Sequence, residues 1–291
     1  MAGSHRSAGG LRRGWWSSLS FRPADQRWRL ASSSGQESRP DVLGSAVGSR
    51  GVSAEFGTKA ATFFTDAFSA VVAGIAENLH YMGPIPDKQK NQLLLTGTAV
   101  GSFGFEFELP KPAESTDAKQ AQLFPLSEKT EEAMEKLERL FELSASGTDD
   151  DVAELVDEIH PRAVKKASEF LDFVSEHDAW CGLEFKERVF RFSGVDQIRA
   201  SAERLKSSNI KENDGVFEGE FQGVLPKGRT FEFKIAGARE VIRGKIGSEI
   251  PDPDVLNREY LHKSVAVTFH VIQVGQGRPR YTLSALADIK R

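Results

Sequence analysis

Histidine and cysteine are the side chains best suited to act as base or nucleophile near neutral pH. This chain has six histidines and one cysteine. No two histidines have the i, i+4 spacing of a metal-binding helix, and none lies in an H-E-x-x-H sequence. His177 and Cys181 could form a dyad, but their position between a predicted helix and a predicted strand favours a helix cap and a buried thiol. We therefore expect no cofactor and no metal ion.

The segment after Cys181 contains a glutamate and a lysine two residues apart. Glu184 and Lys186 flank Phe185 in a predicted strand, where a period of two places both on one face. A carboxylate there could bind a divalent metal while the lysine stabilises developing negative charge. The pair resembles the E-x-K half of the PD-(D/E)xK nuclease pattern, which implies a metal-dependent nuclease with Glu184 and Lys186 as catalytic residues. The upstream acids lie on or just after a predicted helix instead of a strand, so the solvated face of an ordinary strand is favoured.

The glycines of the sequence Thr96-Gly97-x-x-x-Gly101-x-x-Gly104 follow a predicted strand. Their spacing resembles the glycine-rich turn of short-chain dehydrogenases, in which the backbone approaches a pyrophosphate at a helix N-terminus. The residues after Gly104 alternate with period two and include glutamates, so no helix dipole would face a phosphate. A glycine-containing hairpin is the favoured interpretation.

Positive charge near predicted turns distinguishes the C-terminal segment. A basic groove with aromatic stacking platforms suits single-stranded nucleic acid, and Phe217, Phe221 and Tyr281 are available aromatics. Glutamates alternate with these cations, which favours a solvated surface of mixed charge. The candidate ligand-binding residues are Arg229, Arg243, Lys245, Arg278, Arg280 and Tyr281.

The elements that would position these residues follow from hydrophobic periodicity. Residues 55–207 are predicted to form one acidic α+β domain, with helices at Thr58 to His80, after Ser127, from Asp149, from Pro161 and after a Ser193 cap. Strands are predicted at Leu93 to Gly97, Phe103 to Leu109 and Leu183 to Phe192, the last as a strand or hairpin.

After a polar linker over residues 207–214, the pattern becomes β-like. Large aromatics and glycines share one face from Gly215 to Leu225, as in a strand that coils around a small barrel. Four more predicted strands and one short helix follow. The order β-β-β-α-β-β is similar to the OB-fold, a five-stranded barrel that often binds oligonucleotides or oligosaccharides. An SH3-like barrel is the alternative for this domain, residues 208–291.

The first 50 residues are rich in Ser, Gly and Arg and lack helical or strand periodicity. We expect them not to pack, so that residues 1–54 form a disordered or non-native extension. The alternative is an organelle-targeting peptide, because the segment is Arg-rich, Ser-rich and almost free of acids.

The composition, 39% hydrophobic and 27% charged, is typical of a soluble globular protein. No apolar run approaches the length of a membrane span, and one cysteine precludes an intrachain disulfide, which together predict a cytoplasmic protein. We interpret the chain as a binding or adaptor protein, more a non-enzyme than an enzyme, with a C-terminal β-barrel as recognition module and a protein as the expected partner. The alternatives are the nuclease and a single-stranded nucleic-acid-binding accessory protein, with no role at a membrane.

Overall fold

The computed structural model describes residues 16–23, 51–80, 82–98, 103–109, 126–186 and 188–290. Within these residues an α+β domain, which contains both strands and helices, is followed by a β-barrel. The helices are Ala54–Ile75 (α1), Leu126–Ser146 (α2), Asp149–Val156 (α3), Pro161–Glu176 (α4), Val195–Leu205 (α5) and Val255–Glu259 (α6). The strands are Trp16–Pro23 (β1), Leu94–Thr98 (β2), Phe103–Glu108 (β3), Ala179–Phe185 (β4), Arg188–Arg191 (β5), Ile210–Leu225 (β6), Thr230–Ile235 (β7), Val241–Ile246 (β8), Ser264–Val274 (β9), Arg280–Leu283 (β10) and Ile289–Lys290 (β11).

The α+β domain has a five-stranded sheet with the strand order β2-β3-β1-β4-β5. Strand β1 lies in the middle and pairs antiparallel with both β3 and β4, with Leu19 opposite Phe105 on one side and Leu183 on the other. Leu19 is fully buried. The expectation that residues 1–50 do not pack is therefore wrong for Trp16–Pro23. Three of its eight residues are serines, and the alternation around Leu19 is too short to be recognised as a periodic strand.

Local capping explains where the helices begin. The Ser53 side chain accepts a hydrogen bond from the Phe56 amide, so α1 starts four residues before the predicted Thr58. Thr148 and Asp151 form a reciprocal capping box at α3, and Pro161 occupies the first turn of α4 as predicted. At α5 the N-cap is Gly194, which corrects the predicted Ser193 cap.

Aromatic side chains fill the core between the sheet and the helices. Phe105 and Phe107 are 8% and 2% exposed, which confirms their predicted place in the core. The Phe107 ring stacks on Phe64 of α1 with centroids 5.6 Å apart. Strands β2 and β3 pair antiparallel, which confirms the predicted glycine-containing hairpin.

Strands β6 to β10 close into a five-stranded barrel. β6, β7 and β8 form an antiparallel meander, β10 pairs parallel with β8 and antiparallel with β9, and β9 returns to β6. The first strand begins at Ile210, inside the segment predicted as a polar linker, because residues 210–214 pair with the far end of β9. The predicted α+β fold with a small barrel is confirmed.

A β-bulge near Gly223 changes which side of β6 faces the barrel core. The register shifts between Phe221 and Gly223, so Val224 is buried and Leu225 is 68% exposed. The sequence alternation had placed Leu225 on the buried face. An extra residue in one strand reverses the facing of every later side chain, which is the reason for this correction.

The long strand β9 contributes to two hydrophobic cores. Val265, Val267 and Phe269 lie in the barrel core, whereas Ile272 and Val274 pack with the core of the α+β domain. Among the described residues, no helix has the length and apolar character required to cross a membrane.

His270 of β9 forms an ionic cluster on the outside of the barrel. Its ring nitrogens lie 3.3 Å from Glu212 Oε1 and 3.0 Å from Asp214 Oδ1, both on the neighbouring strand β6. The hydrogen bonds to these carboxylates, that to Glu212 most strongly, raise the pKa of His270 to about 9. The imidazolium form therefore joins the two strands at neutral pH.

Candidate functional site

A surface cleft of about 810 Å³ lies where the barrel faces α3. The end of β6, strands β7, β8 and β10, and the loop between β9 and β10 line it from the barrel side. Asp150 and Asp157 line it from the side of α3. Its volume falls within the range of about 300–1,000 Å³ that is typical of ligand pockets.

Five of the six predicted ligand-binding residues line this cleft. They come from two segments that are about 35 residues apart along the chain and are adjacent in the barrel because β8 pairs with β10. The five residues are Arg243, Lys245, Arg278, Arg280 and Tyr281.

The sixth predicted residue, Arg229, has a structural position instead. Its guanidinium donates hydrogen bonds to the carbonyl oxygens of Ile246 at 3.1 Å and Ile250 at 3.0 Å, and also to that of Gly247. These bonds tie the β6–β7 turn to the chain that leaves β8. Since its donors are directed at backbone carbonyls, the contacts of Arg229 stabilise the barrel, and Arg229 is not among the residues that line the cleft.

Most of the positive charge in the cleft is paired with carboxylates. Arg243 Nε lies 2.9 Å from Glu232 Oε1, and this pair is largely exposed to solvent. Lys245 and Arg280 contact acidic residues of the α3 region. The Arg278 side chain is exposed and forms no ion pair within the described part of the chain. The cleft therefore has a surface of mixed charge with one cation available at its rim.

The first turn of α3 holds the β9–β10 loop in place. Asp149 accepts a hydrogen bond from the Gln276 amide at 3.2 Å, and Asp150 accepts one from the Arg278 amide at 2.6 Å. A Cβ at Gly275, where φ is +53°, would lie 2.5 Å from Asp149, so the close approach requires glycine. The Arg204 guanidinium, 2.8 Å from Asp149, is the main cause of the lowered pKa of this carboxyl.

Among the aromatic residues that line the cleft, Tyr281 offers a partly exposed ring, and the two aromatics there do not form a row of stacking platforms. Tyr281 is partly exposed, and burial of its remaining surface raises the pKa of its hydroxyl. Phe231 stacks on Phe269 inside the barrel and is 2% exposed. Phe221, which the sequence suggested as an available aromatic, is fully buried, and Phe217 is only partly exposed against Tyr281.

Two glycines of the cleft differ in the space around them. A Cβ added at Gly223 would have no atom within 4 Å, so a side chain there would extend into open space. A Cβ at Gly244 would lie 2.3 Å from the Phe231 ring and 2.4 Å from the Tyr281 carbonyl oxygen. Gly223 is therefore a position at which the cleft can be obstructed without distorting the barrel.

The residues of the nuclease hypothesis are placed differently from the prediction. Strand β4 ends at Phe185, so the alternation that includes Glu184 does not continue to Lys186, which lies in the β4–β5 turn. The Lys186 amine lies 2.6 Å from Glu135 and 3.2 Å from Glu131 of α2. Within the described ranges, no group of three or more His, Cys, Asp or Glu side chains is arranged to hold a metal ion.

Cys181 and His177 have the structural positions that the sequence favoured. Cys181 is buried in β4, and desolvation raises the pKa of its thiol well above the usual range, which disfavours the reactive thiolate. His177 is the C-cap of α4, and its Nδ1 lies 2.8 Å from the Phe173 carbonyl oxygen.

Sequence reasoning missed the acidic residues that complete the cleft. Asp150 and Asp157 contact the barrel across about 125 residues of chain, and no local spacing connects them with their partners.

Comparison of the chain with protein-family models, with curated proteins and with solved structures found no match.

Proposed function

We propose that this protein is a non-catalytic binding or adaptor protein that recognises an extended segment of a partner protein in the barrel cleft. The observation that carries the proposal is that five candidate residues from separate segments line one cleft: Arg243, Lys245, Arg278, Arg280 and Tyr281. Arginine and tyrosine are enriched where proteins bind other proteins, because both combine apolar area with directional polar groups.

The connectivity of the barrel supports the OB-like interpretation over the SH3-like alternative. A helix stands between the third and fourth barrel strands, and the third strand, β8, pairs parallel with the fifth, β10, as in the OB-fold. Ligands of OB-folds bind over the second and third strands and against the loops that join strands one and two and strands four and five. Here β7, β8 and the β9–β10 loop contribute to the cleft.

The distribution of charge favours a protein segment over nucleic acid. A polyanion requires a continuous cationic surface, whereas Arg243, Lys245 and Arg280 already contact carboxylates. A peptide presents side chains of both signs and apolar groups between them. The exposed Arg278 guanidinium can bind an acidic side chain, and the exposed Leu225, which also lines the cleft, offers apolar contact area.

Selection of binding peptides tests the proposal directly. Peptides are selected on the immobilised full chain from a random-peptide phage library, and their affinities are then measured for three proteins by fluorescence anisotropy. Gly223→Leu obstructs the cleft, and Gly51→Leu is the matched control because a Cβ at that glycine also has no atom within 4 Å. We expect equal affinities for the unmodified chain and Gly51→Leu, and a loss of roughly tenfold or more for Gly223→Leu.

Two results would contradict the proposal. Selected peptides that bind Gly223→Leu as tightly as the unmodified chain would place protein recognition outside the cleft. Saturable, salt-sensitive binding of oligo(dT) by the unmodified chain, lost in Gly223→Leu, would replace the peptide by single-stranded nucleic acid as the ligand.

A further inference from the structure

The acidic residues of α3 and of the two positions after it lie along the cationic side of the cleft. Asp157 Oδ2 lies 3.4 Å from Lys245 Nζ, and Glu158 Oε1 lies 3.6 Å from the same nitrogen. Asp157 Oδ1 also accepts a hydrogen bond from the Thr282 hydroxyl at 3.3 Å. The Asp157 side chain is only 9% exposed, so its negative charge acts on Lys245 with less screening by water than a surface carboxylate would.

A second cation of the cleft is neutralised by the same helix. Arg280 Nη2 lies 3.3 Å from Glu154 Oε2 and donates a hydrogen bond to the Asp150 carbonyl oxygen at 3.0 Å. Two of the four cationic side chains in the cleft therefore face acidic groups that belong to the α+β domain. A ligand that needs Lys245 or Arg280 must first displace a carboxylate of the protein itself.

The start of the helix that carries these carboxylates is fixed against the barrel. The Thr148 capping box fixes the start of α3, and Asp149 and Asp150 bind the backbone of the β9–β10 loop. Carboxylates that are fixed before binding repel an anionic ligand without any reorganisation of the protein. The position of these carboxylates therefore affects which ligands the cleft binds, in addition to the stability of the barrel.

We propose that Glu154, Asp157 and Glu158 determine the selectivity of the cleft by excluding single-stranded nucleic acid from a barrel face that carries four cationic side chains and a partly exposed tyrosine. The inference rests on the proposed function, because it takes the cleft as the ligand site. Each phosphate that a strand places on a cation gains affinity by releasing counterions, and a carboxylate already paired with that cation removes this gain. The partly exposed Tyr281 ring then has, besides Arg278, few phosphate contacts to accompany base stacking.

Replacing the three carboxylates by amides tests this role. The variant Glu154→Gln/Asp157→Asn/Glu158→Gln keeps the side-chain shapes, and the amide oxygen at position 157 can still accept the Thr282 hydrogen bond. The matched control Glu128→Gln/Asp196→Asn/Glu203→Gln changes the net charge equally at exposed positions of α2 and α5. Binding of fluorescein-labelled oligo(dT) to the full chain is measured by anisotropy at low salt, and the melting temperature of each variant is recorded.

We expect the unmodified chain and the control variant not to bind oligo(dT) measurably. The cleft variant should bind at least about tenfold more tightly, weaken as salt rises, and lose binding when Gly223→Leu is added. If the cleft variant is destabilised, Glu154→Gln/Glu158→Gln retains the buried Asp157 and should show a smaller gain of the same kind.

The opposite results separate the two proposals. Failure of both cleft variants to bind oligo(dT) would overturn the selectivity role and leave peptide recognition standing. Equal binding by the control variant would show that net charge, and not the position of the carboxylates, is responsible. Tight binding by the unmodified chain would overturn the selectivity role and the proposed protein ligand together.

Discussion

Substitution of Leu19 by alanine measures whether β1 is the central strand of the sheet. Leu19 is fully buried and lies between Phe105 and Leu183 of the two neighbouring strands. Removal of about three buried carbon groups at ~0.8 kcal/mol each accounts for roughly 2.4 kcal/mol. The cavity left among these side chains adds to this loss, so we expect Leu19→Ala to lower the free energy of unfolding by about 3 to 4 kcal/mol.

Urea unfolding, followed by circular dichroism and by tryptophan fluorescence, gives the measurement. Trp180 is 1% exposed on the neighbouring strand β4 and reports on the same core. With a slope of roughly 2 kcal/mol per molar urea, the expected loss lowers the midpoint by about 1.5 to 2 M. The matched control is Leu94→Ala on the edge strand β2, where the side chain is 55% exposed and the expected change is within about 0.5 kcal/mol.

Equal midpoints for Leu19→Ala and Leu94→Ala would refute the central position of β1. Deletion of residues 1–50 gives an independent result, because it removes the strand that pairs with both β3 and β4. We expect this deletion to abolish cooperative unfolding of the α+β domain, since two strand edges would lose their hydrogen-bonded partner. The sequence pattern alone predicted that these residues do not pack, and so that their removal would leave the domain intact.

Three further variants test other parts of the structure. His270→Gln should remove a stabilisation of about 1 to 2 kcal/mol, because the pKa of this part-exposed histidine is raised in the folded protein. The stabilisation should be complete below pH ~6.5 and be lost as the pH rises through about 9. Urea titrations across this pH range measure it. Gly244→Ala should lower stability by about 1 to 3 kcal/mol through its clash with Phe231, whereas Gly223→Ala should be neutral in the same assay. Arg204→Ala should cost about 2 to 3 kcal/mol in thermal unfolding, because its guanidinium binds carbonyl oxygens at the end of α2 as well as a carboxylate of α3.

Each of these variants has a result that contradicts its argument. A loss of stability for His270→Gln that is the same at pH 6 and pH 9 would show that the imidazolium is not the source of the effect. Equal stability of the two alanine variants at Gly244 and Gly223 would mean that the tight approach at Gly244 relaxes freely. Unchanged stability of Arg204→Ala would show that water replaces its hydrogen bonds without cost.

Much of the fold follows from local sequence because its causes are local. The period-two alternation at Phe105 and Phe107 predicted a half-buried strand, and Pro161 predicted the start of a helix within one turn. The aromatic and glycine alternation from Gly215 predicted a strongly coiled barrel strand. These signals depend on residues only a few positions apart, so they do not require knowledge of the partners in space.

The sequence by itself determined the α+β character of the chain, the small barrel and five of the residues that line the cleft. The tertiary structure alone decided that β1 lies between β3 and β4, that Arg229 binds backbone carbonyls, and that Asp150 and Asp157 face the cations of the barrel. The physical reason is the range of the interactions. The bulge near Gly223 shows that one extra residue can reverse a local prediction. Capping and alternation act between neighbours in sequence, whereas strand pairing and ion pairing act between groups that only the folded chain brings within a few ångströms.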